Sequence, residues 1–298
     1  MSSEIPIYSI CNLMNTENLP QDCVVLDLHD FLERQEKSAS PHRHSFFQVL
    51  LIKEGSGEHV IDFQSFPIAK GDLYFLSPGQ IHKWDFDKAT EGIIINFDEI
   101  FFSSFLAKRD YIKDFLFFIG NANYSLFKTK AVAKKVTAIF DKIYEEYSHL
   151  ATNISWDLLR TYLLELFMIC DKEMSQKEHE HYDSKPQFYL LKNFERLIEE
   201  HYIQKRLPKE YAEILCVTPN YLNALCQKIK GVSAGTLIRN RLLLESKRLL
   251  INSELSISEI AYQLDFKDNS YFSRFFKKYE GLTPVEFQKR KELNFLHK

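Results

Sequence analysis

The sequence predicts a multidomain chain: a β-sandwich or barrel, then an α-helical pair, then an all-α module with two helix-turn-helix units joined by a long helix. Three observations carry this reading. Short runs rich in aromatic and β-branched residues alternate with turn residues between about Val24 and Phe102. Apolar residues switch to helical spacing from Ala131. From Pro186 onward the chain repeats itself at an interval of 50 residues.

The first part reads as strands at Phe46–Ile52, Glu58–Phe63, Asp72–Ser77 and Gly92–Phe97. Turn residues bound them at Gly55-Ser56-Gly57, Lys70-Gly71-Asp72 and Pro78-Gly79. Next, Ala131–Leu150 sets Val132, Val136, Ile139, Phe140, Ile143 and Tyr147 on one helical face. Ser155–Cys170 opens on a capping serine and carries Trp156, Leu159, Leu163, Leu166 and Phe167. The two helices fit an antiparallel pair. Their apolar stripe serves as intramolecular core or as a dimer contact. Residues 172–185 (KEMSQKEHEHYDSK) have no apolar period and read as a linker, with His179 and His181 solvated. The expected divisions are therefore 1–130, 131–171, 172–185 and 186–298.

In the repeat, Tyr221-Leu222 returns as Tyr271-Phe272, Leu225-Cys226 as Phe275-Phe276, Lys228 as Lys278, Gly231 as Gly281 and Leu237 as Phe287. Each copy has the pattern of two helices joined by a short turn. In the first, Pro208–Leu215 leads, the turn is Cys216-Val217, and Thr218-Pro219 caps a helix to Lys230. Leu222, Leu225, Cys226 and Ile229 form its inner face, and Gly231 ends it. In the second, Ser256 and Glu259 make a capping box and the turn is Asp265-Phe266. The following helix, about Asn269–Tyr279, buries Phe272, Phe275, Phe276 and Tyr279. Thr283-Pro284-Val285-Glu286 starts one more helix. Between the copies, Thr236–Asn252 reads as a long bridging helix.

Charge separates the two ends. From Ser184 to Lys298 there are 20 Lys+Arg against 13 Asp+Glu, whereas the rest holds 18 against 28. A basic end on an acidic body fits contact with a polyanion at that end only. No apolar run reaches membrane-helix length, and residues 1–10 lack a basic-then-apolar secretory pattern. Five scattered cysteines fit reduced thiols in the cytoplasm.

The second helix of each unit has the dimensions to enter a major groove of double-stranded DNA. Removing its buried positions leaves Asn220, Asn223, Ala224 and Gln227 in the first unit. In the second it leaves Asn269, Ser270, Ser273 and Arg274. Asn and Gln pair with adenine, Arg pairs with guanine, and Ala contacts a thymine methyl. Lys228, Lys230, Lys277 and Lys278 lie at the helix ends, where phosphate contact is expected.

Ser256–Phe287 (SISEIAYQLDFKDNSYFSRFFKKYEGLTPVEF) resembles the C-terminal signature of the AraC/XylS family of bacterial transcription regulators, and Leu207–Leu250 resembles the first half of that module. The resemblance implies seven helices, two recognition helices in successive major grooves, and RNA polymerase as a partner. It also implies a dimeric regulator controlled by a small molecule or by assembly through the N-terminal domain, an activator by the family's usual mode. The family usually has glycine at both turns, where this chain has Cys216 and Asp265.

The N-terminal part resembles the family's cupin-like sensor barrel. Pro41-His42-Arg43-His44, Gln48, Gly55, Gly71-Asp72 and Pro78-Gly79-Gln80-Ile81-His82 carry that resemblance. It implies an effector pocket of His42, His44, Gln48, Tyr74, His82 and Trp84 for a small molecule. Cupin enzymes hold metal through two His, a Glu and a third His. Here His42, His44 and His82 match, while Gln48 stands at the carboxylate position. Neutral glutamine is a poor ligand, so neither metal nor other cofactor is expected. The alternative, a cupin-type metalloprotein with an appended helical domain, explains neither the repeat nor the charge split. The chain is therefore not expected to be an enzyme.

Overall fold

The computed structural model describes residues 5–10, 22–34, 40–148, 155–179, 185–252 and 255–294. The chain divides into two compact units, one spanning Pro6–Lys177 and one made of the residues from Glu178 onward together with Ile5.

The first unit contains β1 (Ile7–Tyr8), β2 (Cys23–Asp27), α1 (Leu28–Arg34), β3 (His42–His44), β4 (Phe47–Glu54), β5 (Gly57–Ile61) and β6 (Gln64–Pro67). There follow β7 (Asp72–Leu76), β8 (Ile81–Phe86), β9 (Glu91–Phe97), α2 (Glu99–Ser103), β10 (Leu126–Lys128), α3 (Ala133–Ser148) and α4 (Trp156–His179). Two five-stranded sheets result, ordered β1-β3-β8-β5-β6 and β10-β7-β4-β9-β2. Opposite strand partners show which residues share a face. Gln48 pairs with Asn96 and Leu76, and Leu50 pairs with Ile94 and Tyr74. That face meets the other sheet, since the rings of Tyr74 and His59 lie 4.7 Å apart. The opposite face, with Phe75 and Phe97, packs on Phe167 of α4 at 6.1 and 5.9 Å. Burial on both faces explains why β4, β7 and β9 carry unbroken apolar runs (Val49–Ile52, Leu73–Leu76 and Ile93–Ile95) instead of alternating. Where β5 meets β8, a Cβ on Gly57 would sit 2.2 Å from the Asp85 carbonyl oxygen. Only glycine permits that approach.

The helical pair belongs to this core. Val136, Ile139, Phe140 and Ile143 of α3 and Leu159, Leu163, Leu166 and Phe167 of α4 are all buried in one cluster with the strands. Most of the stripe is thus intramolecular. The linker reading of residues 172–185 needs correction, because α4 runs on to His179. No Gly or Pro interrupts Lys172–His179, and Met174 still packs against the core, so a helix already propagating continues through the polar run. Residues 180–184, with His181, and Cys11 lie outside the described residues. Among those described, no helix is long and apolar enough to cross a membrane.

The second unit is all helix: α5 (Lys185–His201), α6 (Pro208–Ile214), α7 (Pro219–Lys230), α8 (Ala234–Asn252), α9 (Ile257–Gln263), α10 (Asn269–Glu280) and α11 (Pro284–Asn294). It holds two small cores. Leu191, Phe194, Tyr211, Ala212, Leu222 and Cys226 build the first, and Leu264, Phe266, Phe272 and Phe276 the second. Helix α8 serves both, giving Ala234 and Ile238 to one and Leu242, Leu249 and Leu250 to the other. Tyr279 departs from the expected buried set: it is exposed, and the Arg239 guanidinium lies 5.2 Å from its ring.

Candidate nucleic-acid interface and barrel interior

The two turns are built alike. In the first, Val217 N–H donates to the Ala212 carbonyl at 3.0 Å and Cys216 N–H to Glu213 at 3.2 Å. In the second, Phe266 N–H donates to Ala261 and Asp265 N–H to Tyr262, both at 2.9 Å. This six-to-one plus five-to-two pattern ends a helix on a left-handed residue. Cys216 (φ 53°) and Asp265 (φ 56°) adopt that conformation. The leading helices correspond at 49 residues (Ala212 and Ala261), whereas the following helices correspond at 50 (Tyr221 and Tyr271). The second turn is therefore one residue longer, which a single 50-residue period does not convey.

Thr218 accepts from Tyr221 N–H at 3.2 Å and Asp268 from Tyr271 N–H at 2.7 Å, so both following helices are capped. Gly231 (φ 70°) and Gly281 (φ 84°) end them. Asn220, Asn223, Ala224, Gln227 and Lys228 are exposed on α7, as are Asn269, Ser270, Arg274, Lys277 and Lys278 on α10. Ser273 is half-buried. Several of the expected residues already have partners; two of them have each other, Ser273 Oγ donating to Asn269 Oδ1 at 3.3 Å. Asn223 Oδ1 accepts from Ala234 N–H at 3.2 Å, fixing the start of α8. Gln227 Nε2 donates to the Gly231 carbonyl at 3.0 Å. Lys230 pairs with Glu195 of α5 at 3.2 Å. Conversely, Tyr221 and Tyr271 are exposed at matching positions of the two helices. Their recurrence outside the inner-face spacing is the signal that could have added them to the interface.

In the first unit, β3 brings His42 opposite His82 of β8, and β5 brings His59 opposite Trp84. His42, His44, His59 and His82 are all buried, and burial lowers every one of their pKa values. Burial thus favours the neutral form of each imidazole. Trp84 Nε1–H, which can only donate, donates to His59 Nε2 at 3.0 Å. His59 Nε2 is thus an acceptor. His82 Nδ1 lies 3.0 Å from that same atom, and a hydrogen on it, sharing the lone pair with Trp84 as a second donor, leaves His82 Nε2 bare. His42 spends Nδ1–H on the Ser40 carbonyl at 2.9 Å, leaving its own Nε2 bare. One nitrogen from each of His42, His44 and His82 lies within 4.8 Å of the others.

The expected pocket residues divide. His42, His44, His82 and Trp84 gather, Tyr74 joins them through His59, and His59 itself had no place in the sequence reading. Gln48 instead turns to Asn96, donating from Nε2 to Oδ1 at 2.9 Å. Among the described residues, Gln48 Oε1 and Asn96 Nδ2 are buried without hydrogen-bond partners.

Two family models match. The helix-turn-helix domain matches residues 211–290 and the AraC-like ligand binding domain matches residues 31–167. The chain belongs to the AraC/XylS family. As an AraC/XylS protein it is a DNA-binding transcription regulator. It is 26% identical over 258 residues to the uncharacterised HTH-type transcriptional regulator YisR of Bacillus subtilis (strain 168), covering 82% of this chain and 86% of that one. It is 23% identical over 253 residues to the HTH-type transcriptional activator RhaR of Yersinia pseudotuberculosis, covering 84% of each. Among solved structures, the C-terminal domain of the response regulator yesN from Fusobacterium nucleatum is 31% identical with a TM-score of 0.30. That match covers 32% of this chain and 93% of that one. ToxT from Vibrio cholerae is 14% identical with a TM-score of 0.42, covering 90% and 98%.

Proposed function

We propose that this regulator is an effector-responsive transcription activator. The barrel of the first unit takes a small polar molecule, and the module from residue 186 reads DNA. The carrying observation is the Gln48–Asn96 pair, which presents an acceptor and a donor inside the barrel with no hydrogen-bond partner among the described residues. Buried polar atoms without partners are rare and call for a ligand or water. On the DNA side, Asn220, Ala224, Asn269, Ser270, Ser273 and Arg274 face base edges, and Lys228, Lys277 and Lys278 face phosphates. Tyr221 and Tyr271 flank them. The protein works in the cytoplasm as a homodimer beside RNA polymerase; exposed Tyr144 and Met168 on the helical pair support pairing there. It is not an enzyme in this reading.

The test is a gel shift of the full chain on DNA upstream of neighbouring genes, with and without pooled polar metabolites. A metabolite should change the apparent affinity, and Gln48→Leu should abolish that response without changing effector-free binding. An affinity that no metabolite moves would sink the effector reading.

A further inference from the structure

The barrel interior holds an arrangement that an organic effector does not require. His44 Nε2 and His82 Nε2 lie 2.5 Å apart. With the hydrogen on His82 Nδ1, the Trp84–His59–His82 chain leaves His82 Nε2 as a bare lone pair. Two facing lone pairs repel, so either a hydrogen on His44 or a cation must lie between them. His42 adds a third nitrogen with its Nδ1–H already committed to a backbone carbonyl. That is the outer contact by which metal-binding histidines are normally oriented.

Gln48 argues against a metal only if the ligand set must include a carboxylate. Three neutral imidazoles with one open position are a sufficient set for zinc or cobalt. Gln48 is bound to Asn96 and takes no part. Ligand nitrogens around a tetrahedral ion stand about 3.3 Å apart, given metal–nitrogen bonds of about 2.0 Å. Seating an ion there requires the His44–His82 contact to open from 2.5 Å to that distance.

We propose that the barrel binds one divalent transition-metal ion through His42, His44 and His82 alone, with His59 and Trp84 as the outer layer that fixes the tautomer of His82. His59 lies outside the histidine–carboxylate pattern of cupin enzymes, and its role here is positioning. The inference does not depend on which organic effector the regulator answers to, or on whether it answers to one.

The probe is Co²⁺ added to the full-length, metal-stripped protein, read by visible absorption and by equilibrium dialysis. One Co²⁺ per chain is expected, with the intense ligand-field bands of a low-coordinate site. His44→Ala with His82→Ala should remove both signals, and circular dichroism checks that this variant folds. His59→Ala should retain the site but weaken it about 10- to 100-fold. Gln48→Ala and a His179→Ala, His181→Ala variant should bind like the parent. Absence of stoichiometric Co²⁺ on the parent protein would overturn the proposal. So would full binding by the folded His44→Ala, His82→Ala variant, or loss of the site in the His179, His181 variant.

Discussion

The guanidinium of Arg206 donates to the Asp265 carbonyl at 2.8 Å, linking the entrance of the first helix-turn-helix unit to the turn of the second. The same group donates to the Leu264 carbonyl and lies 4.3 Å from the centre of the Phe266 ring. Helix α8 sets the distance between the units through its backbone. Arg206 pins their other side. Arg206→Ala is therefore expected to destabilise the module by about 1.5 to 3 kcal/mol, the range for hydrogen bonds from a charged donor. It should weaken binding to a two-groove site more than binding to either half. Arg206→Lys should recover little, because an ammonium lacks the Nε–H that donates to the Ile203 carbonyl at 3.1 Å and the flat face that lies over the Phe266 ring. Denaturant titration and binding to full and half sites check both statements.

The left-handed turn residues give a second expectation. A non-glycine residue in this region carries roughly 1 to 2 kcal/mol of strain, partly offset by glycine's greater chain entropy. Cys216→Gly should raise stability by up to about 1 kcal/mol. Asp265→Gly should gain less, since Asp tolerates positive φ better than Cys. Cys216→Val should lower stability. Urea midpoints of the helical transition test this ranking.

Asn223 separates a structural role from a reading role. Its Oδ1 is the acceptor for Ala234 N–H. Asn223→Ala should therefore cost about 1 kcal/mol of stability, as loss of a helix cap does, and shift affinity for specific and random DNA alike. Asn220→Ala should instead leave stability nearly unchanged and reduce discrimination. A stable Asn223→Ala protein with lost discrimination would reverse the assignment.

Arg274 and Lys278 should differ in kind. Arg274→Ala is expected to reduce the preference for specific over random DNA by about 1 to 3 kcal/mol. Lys278→Ala should weaken binding to every sequence and flatten the dependence on salt by about one phosphate contact. Equal losses on both DNAs for Arg274→Ala would remove it from base reading. Fluorescence anisotropy across a salt series gives both quantities.

Much of this was legible beforehand because it rests on local chemistry. Caps at Thr218, Ser256 and Thr283 and terminators at Gly231 and Gly281 are written in residue type and spacing. So is the exposed face of each following helix. What was not legible depends on contacts between distant segments. Asn223 and Lys230 look like reading and phosphate residues until Ala234 and Glu195 are placed beside them. His59 lies in a strand with no motif of its own, and only pairing between β5 and β8 brings it to Trp84 and His82. The linker reading failed at Lys172–His179 because Met174 alone anchors that stretch to the core, and a single apolar residue gives no periodicity to read. The extra residue in the second turn was hidden because the repeat was aligned on its strongest matches, all within and after the following helices.

The most direct test of the central claim is selection of bound sequences from random double-stranded DNA by the full-length protein, followed by methylation interference on the enriched site. Two recognition helices on one rigid module should yield two short sequence blocks about 10 base pairs apart, with interference in successive major grooves on one face. Arg274→Ala should degrade only one block. No enrichment, or a single block unaffected by Arg274→Ala, would contradict the account.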